Sequence, residues 1–229
     1  MSTKIKRPQL TERDLKILQW IGEQYAARLD QIQILMAQFG EVPTKQAGIV
    51  SISTVEQKIR KWQFMKLVER KKILFGQPAW LWLSKTGLRL LEIPYRYLEP
   101  SYTTLEHIAI VNQVRFYVEA RQAIKGNVVT WRSERRLRYE YGRDEKQKGR
   151  HIADAELATD KGTVAIEVEL GQKSHGRTLH ILSELAINYP TVWYFVNDKT
   201  HEFISRQIDS LPADQKRKFQ VHHLDTLKS

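Results

Sequence analysis

Apolar positions recur at helical spacing in the first part of the chain. Leu15, Leu18 and Ile21, with Ile17 and Tyr25, mark the inward face of a helix predicted over Leu10–Ala26. Thr11 is placed to cap it, with Asp14 three residues on. Ile32 and Leu35 mark a second helix over Leu29–Phe39, stopped between Gly40 and Gly48 by Pro43 and the glycines. Ser53, with Glu56 three residues later, reads as a capping box opening a third helix. Val55, Ile59 and Trp62 share its inward face, while Gln57, Lys58 and Lys61 fall away. Strands over Leu67–Phe75 and Ala79–Leu83 flank a Gly76-Gln77-Pro78 turn, and Lys85–Ile93 closes the region as a helix. Three helices and a hairpin in this order predict a winged helix-turn-helix over residues 1–98.

Pro94–Tyr102 reads as a linker pinned by its three tyrosines. A long helix over Thr104–Ile124 and a strand over Val128–Trp131 follow, then a helical stretch capped by Ser133 that runs through Tyr139 and carries Glu134. Residues 132–150 form a charge run, read either as a loop lying on a phosphate backbone or as a solvated loop. Strands over 151–159 and 163–169 meet at an Asp160-Lys161-Gly162 turn. A helix through Asn188, a strand over Thr191–Val196, a helix including Phe203–Ile208 and a strand over Phe219–Leu224 complete the chain. This alternation predicts an α/β domain over 99–229, a mixed sheet with helices on its faces.

Charge makes the first region more specific. The net charge of +11 is uneven: residues 1–98 hold 17 Lys and Arg against 8 Asp and Glu, and residues 99–229 hold 20 against 18. A small domain so strongly cationic fits a polyanion, which makes double-stranded DNA the first expected partner. A protein-interaction module is the other reading of the same fold. On the third helix Ser53, Thr54 and Gln57 face base edges, and Lys58 or Lys61 reads guanine or touches phosphate. Arg60, Arg70, Lys71 and Lys72 are expected on phosphates, as are Arg135 and Arg136 of the charge run. Proteins that read repeated half-sites are commonly twofold, so a homodimer is expected. With no cysteine there is neither a disulfide nor a thiolate metal site, which fits a cytoplasmic protein. No apolar run approaches the roughly 20 residues that span a bilayer, so no membrane partner is expected. Met1–Pro8 has no apolar stretch behind it and does not read as a secretory signal.

The second region carries the candidate chemistry. Glu167 and Glu169 lie two apart on one strand and so on one face, with Asp154 able to meet them from the neighbouring strand. Asp154 and Glu167 are the candidate ligands for Mg²⁺ or Mn²⁺, with the Val168 carbonyl as a third. A metal-bound water would then attack phosphorus. Lys173 or Arg177 is placed to orient that water, and Glu134 to hold a metal water. The alternative is a solvent-facing acidic pair, with Glu169 matched by Lys173 or Arg177.

Several segments together resemble the replication-relaxation family of plasmids and integrated mobile elements. These are Trp82-Leu83-Ser84-Lys85-Thr86-Gly87-Leu88, Leu105-Glu106-His107, Trp131-Arg132-Ser133-Glu134-Arg135-Arg136-Leu137, His151-Ile152-Ala153-Asp154-Ala155-Glu156-Leu157, and Ala165-Ile166-Glu167-Val168-Glu169-Leu170 with Lys173-Ser174. The resemblance implies a winged helix joined to a domain like the PD-(D/E)xK restriction-endonuclease-like fold. It puts the catalytic acids at Asp154 and Glu167 and a helix glutamate at Glu134. Two departures stand out. Ala153 replaces the proline, and Glu169 stands where the pattern has lysine, leaving Lys173 to reach back. The expected function is a DNA-binding accessory or regulatory protein of a mobile element, acting with replication, transfer or transposition proteins, its nuclease-like domain inactive. The alternative is a Mg²⁺-dependent DNA endonuclease targeted by the winged helix.

Overall fold

The computed structural model describes residues 9–40, 49–73, 75–144 and 149–228. Met1–Pro8, Pro43 of the expected break, Leu74, Lys146 and Lys148 lie outside the described residues. Two units, Met1–Ala109 and Ile110–Ser229, divide the chain within one helix, beyond the proline-containing segment where composition placed the division.

The first unit runs α1 (Glu12–Gln24), β1 (Ala27–Arg28), α2 (Leu29–Gln38), α3 (Ile52–Phe64), β2 (Val68–Lys71), β3 (Trp80–Leu83), α4 (Lys85–Leu90) and the start of α5 (Tyr102–Ile124). The α1 cap is reciprocal. Thr11 Oγ1 accepts from the Asp14 amide at 3.2 Å, and Asp14 accepts from the Thr11 amide at 2.9 Å. The inward stripe begins at Asp14 and continues through Ile17, Leu18 and Ile21, so Leu15, expected on it, is exposed. Ser51, not Ser53, caps α3, its Oγ accepting from the Thr54 amide at 3.3 Å. The expected capping box is absent because the helix starts at Ile52, ahead of Ser53; Glu56 instead accepts from Arg70 through two bonds of 2.6 Å. Lys66, in the left-handed conformation at φ 57°, closes α3.

β3 is the centre of an antiparallel sheet of order β1-β3-β2, and all four of its residues are buried. Being central explains why Trp80 and Trp82 are core rather than surface. β1, only two residues long, carries no periodicity to read. β2 ends at Lys71, short of the expected Phe75. Gly87 lets α4 lie on the sheet, since a Cβ there would sit 2.1 Å from the Leu67 carbonyl oxygen. Two linker tyrosines are pinned as expected: Tyr95 donates to Glu23 and Tyr97 to Glu69. Tyr102 instead opens α5 and is exposed.

The second unit is a mixed α/β fold. It continues α5 and adds β4 (Thr130–Ser133), α6 (Glu134–Tyr141), β5 (Ala155–Thr159), β6 (Gly162–Glu169), α7 (His175–Asn188), β7 (Thr191–Val196), α8 (Asp198–Asp209), α9 (Ala213–Lys216) and β8 (Phe219–His223). The sheet order is β4-β5-β6-β7-β8; the first three strands are antiparallel and the last three parallel. Both sheet faces are covered. Val111, Val114 and Val118 of α5 pack on Leu157, Ile166 and Val168. Ile181, Leu182 and Leu185 of α7, with Ile204 of α8, pack on Ala165, Val192 and Val196. Gly162 at φ 117° makes the β5–β6 turn. Ser133 caps the helix carrying Glu134 as expected; it runs on to Tyr141, so the first part of the charge run is strand and helix, and Val128 is exposed ahead of β4.

Asp14 ties the first unit together. Its buried carboxylate accepts from Lys58 at 3.1 Å, Lys61 at 2.9 Å and the Trp62 indole at 3.3 Å. Burial opposes its charge, but the Thr11 amide first, then Lys61 and Lys58, hold it far below the ordinary carboxylate range. Asp14→Ala should therefore destabilise the protein by about 3 kcal/mol, because it strands two lysines and removes a cap contact. Urea denaturation checks this, and a loss below about 1 kcal/mol would contradict it.

Candidate functional site

Strand register builds the acidic cluster. β5 and β6 pair Ala155 with Ile166 and Glu156 with Ala165, so the residue before β5, Asp154, comes opposite Glu167. By alternation Glu156, Ala165, Glu167 and Glu169 share the face under α7 and α8. Parallel pairing sets Tyr194 of β7 beside Glu167. Asp154 itself lies in a bend rather than in the expected strand. Its Oδ2 accepts the Val168 amide at 2.8 Å and so takes over a ladder bond. Val168 thus contributes its N–H here, where a carbonyl ligand was expected.

Glu167 is sealed from water at 5% exposure and bonded at 2.9 Å to Nε2 of His151. Burial first, then the charge of Asp154, push its carboxyl up to about 7, with His151 and Lys173 pulling the other way. Burial disfavours charge on His151, but the bond to Glu167 and the charges of Glu167 and Asp154 outweigh it and hold the imidazole above its ordinary value. The His151 amide donates to Glu184 of α7 at 2.8 Å, which fixes the segment in place. Lys173 pairs directly with Glu169. Burial and the three surrounding acids keep the Tyr194 hydroxyl protonated.

The structure thus brings Asp154, Glu167, Glu169 and Lys173 together. Glu134 joins them only through its amide, which donates to the Asp154 carbonyl at 2.9 Å. Its carboxylate is held by Arg138, one turn along α6. Arg177 is exposed at the start of α7. His151 and Glu184 were not singled out from the sequence, although the spacing His151-x-x-Asp154 was visible. A lone histidine ahead of a strand gives no sign of which acid it will meet.

A divalent cation needs several oxygens free to turn towards it. Here Glu167 is taken by His151, Glu169 by Lys173 and Asp154 by the Val168 amide. Among the described residues these acids do not bring three ligand atoms within 4.8 Å of one another. The hairpin as arranged does not fit the expected Mg²⁺ or Mn²⁺. Another group could hold a divalent metal: Asp198 at the start of α8, His223 at the end of β8 and Asp225 meet that spacing. It lies at the surface, with His223 Nε2 2.7 Å from Asp198 and Nδ1 3.3 Å from Asp225. Sequence gave no hint of it, since its members are brought together only by the β7–α8–β8 crossover.

A second buried acid, Glu156, organises the charge run. Arg132 pairs with it, and the Tyr141 and Tyr189 hydroxyls donate to it at 2.5 and 2.7 Å. Arg132 also pairs with Glu140, which Arg136 reaches at 2.8 Å. Arg135 is half-buried on the same helix. The Arg150 guanidinium lies over the rings of Tyr141 and Tyr189. These arginines, expected on a DNA backbone, are largely engaged within the second unit.

In the first unit Ser53, Gln57, Arg60 and Phe64 form an exposed stripe along α3, opposite Val55, Ile59 and Trp62. Thr54 is exposed beside it. Lys58 and Lys61 do not fall away as expected but fold back onto Asp14. Arg70 is held by Glu56 and Lys71 by Glu99. Beside β2 runs an open trough of about 790 Å³, lined by Lys66, Arg70, Lys71, Lys85, Ser84 and Glu69 among others. Among the described residues Lys66, Lys72 and Lys85 form no ion pair. Lys85 lies 5.5 Å over the Tyr97 ring, and Lys72 5.9 Å over that of Phe75.

No family model, curated protein or solved structure matches the chain. Among the described residues no helix is long and apolar enough to cross a membrane.

The Glu167–His151 pair sets a pH dependence. Glu167 holds its proton more tightly folded, to about 7, than at its ordinary 4.5. Its contribution to stability is therefore complete below about pH 4.5 and lost as pH rises through about 7. His151, also raised, acts in the same direction above its ordinary 6.5. Thermal melts should show Tm falling with pH across this window, and Glu167→Gln should flatten the slope. An unchanged slope in the variant would contradict the assignment.

Proposed function

We propose that the chain is a DNA-binding accessory or regulatory protein of the kind carried by mobile genetic elements. In this reading the first unit is a winged helix-turn-helix. The short strand between α1 and α2, paired to the hairpin, supports it. The second unit is related in plan to the PD-(D/E)xK nucleases and serves as a scaffold rather than a cutting centre. The observation that carries the reading is the cluster of cations around β2, part of which no carboxylate matches among the described residues. Carboxylates within the second unit hold Arg132, Arg136, Arg138 and Lys173. Lys66, Lys72 and Lys85 of the first unit have no such partner among the described residues, and they line or flank a trough open to a phosphate backbone. Base reading then falls to the exposed stripe of α3, above all Gln57 and Arg60, with Ser53 and Thr54 at its start. Lys58 and Lys61 become supports of that helix through Asp14. Cytoplasmic residence, a homodimer and replication, transfer or transposition proteins as partners go with this proposal.

The alternative is a Mg²⁺- or Mn²⁺-dependent endonuclease. One observation favours it: Asp154 lies opposite Glu167 and raises its pKa, an electrostatic conflict that a cation would relieve.

Duplex binding measured against salt, with supercoiled plasmid incubated in parallel with Mg²⁺ or Mn²⁺, separates the two. The accessory reading expects binding that weakens steeply with salt, and no nicking. Lys66→Glu with Lys85→Glu should weaken binding roughly tenfold or more. Nicking abolished by Asp154→Ala and by Glu167→Ala would establish the enzyme instead. Absence of duplex binding would end both readings.

A further inference from the structure

Within the DNA-binding reading, on which this step rests, we propose that the β2–β3 hairpin carries a wedge. Phe75 at its tip enters a base step of the bound duplex and bends it. Phe75 is 100% exposed, whereas the other aromatics of the same hairpin, Trp80 and Trp82, are 2% and 3% exposed. The hairpin therefore has a core to receive rings, and it holds this one outside that core. The tip is unobstructed as well. Next to Phe75, Gly76 adopts φ 77°, and a Cβ there would meet nothing within 4 Å. Gln77 and Pro78 are exposed.

The surroundings match a polyanion. No Asp or Glu occurs between Glu69 and Glu92, while Arg70, Lys71, Lys72, Lys85 and Arg89 all fall in that interval. Lys72 Nζ stands 5.9 Å from the centre of the Phe75 ring, so a cation accompanies the ring to whatever it meets. β2 runs along the trough, whose lining includes Lys66 and Lys85, without an ion pair among the described residues, and Arg70 and Lys71, held by Glu56 and Glu99. Phe75 follows Lys71 by four residues, a reach of at most about 13 Å of extended chain and so of only a few base pairs. A backbone held in the trough is thus within reach of the ring. A cation-flanked apolar side chain on a narrow protrusion is the equipment that unstacks a base step and kinks a duplex. A protein partner would be expected to cover more apolar surface than one ring. A lipid surface would call for an amphipathic face, which a single ring does not supply.

The test uses the full chain and a short duplex carrying 2-aminopurine at successive positions, with dyes at its ends to read bending by energy transfer. Wild type should brighten 2-aminopurine at one step and bring the ends closer. Phe75→Ala, which removes a fully exposed side chain, should lose both signals and bind about tenfold more weakly. Phe75→Trp should restore both. If wild type binds but neither signal changes, or if Phe75→Ala keeps them, the wedge is wrong and the DNA-binding reading survives. If no duplex binds, both fall. Binding to anionic vesicles that is lost in Phe75→Ala, with DNA bending intact, would make the ring a lipid anchor and overturn the wedge.

Discussion

A carboxylate withdrawn from water must find positive charge or hydrogen-bond donors inside the fold, and four of them organise this chain. Asp14, Glu156, Glu167 and Glu169 are all buried. Asp14 draws in Lys58 and Lys61, and Glu156 draws in Arg132. Glu167 holds His151, and Glu169 holds Lys173. Left unmatched, any one of these charges would cost several kcal/mol. These pairings come before function, because they decide which cations remain for a partner.

The cations that the sequence placed on DNA fare differently in the two units. In the second, Arg132 is drawn onto the buried Glu156, while Arg136 and Arg138 pair with Glu140 and Glu134 along the surface of α6. In the first, Asp14 removes two lysines from the outer face of α3 yet fixes that helix against α1. The stripe through Gln57 and Arg60 and the cations around β2 stay on the surface. In this account recognition belongs to the first unit, and the acidic hairpin of the second is satisfied from within.

Much of the layout was legible in the sequence because periodicity depends on burial. Val55, Ile59 and Trp62 fix the buried side of α3, and alternation along 163–169 fixes the face of Glu167 and Glu169. The pairing of Asp154 with Glu167 could be read from the hairpin because its turn sets the register. What stayed hidden depends on contacts between distant residues. Lys58 and Lys61 read as outward-facing because the acid that captures them lies forty-odd positions away on α1. Leu15 read as inward because a buried aspartate at position 14 runs against expectation. β1 has only two residues and exists because β3 offers it a pairing edge. Asp198, His223 and Asp225 meet only through a parallel crossover.

The most direct measurement is amide chemical-shift mapping of the labelled chain as duplex DNA is added. The account predicts perturbations along Ser53–Arg60 and around Lys66, Lys71, Lys72 and Lys85, with Asp154, Glu167 and Glu169 undisturbed. Shifts centred on the acidic hairpin, with the first unit silent, would contradict it.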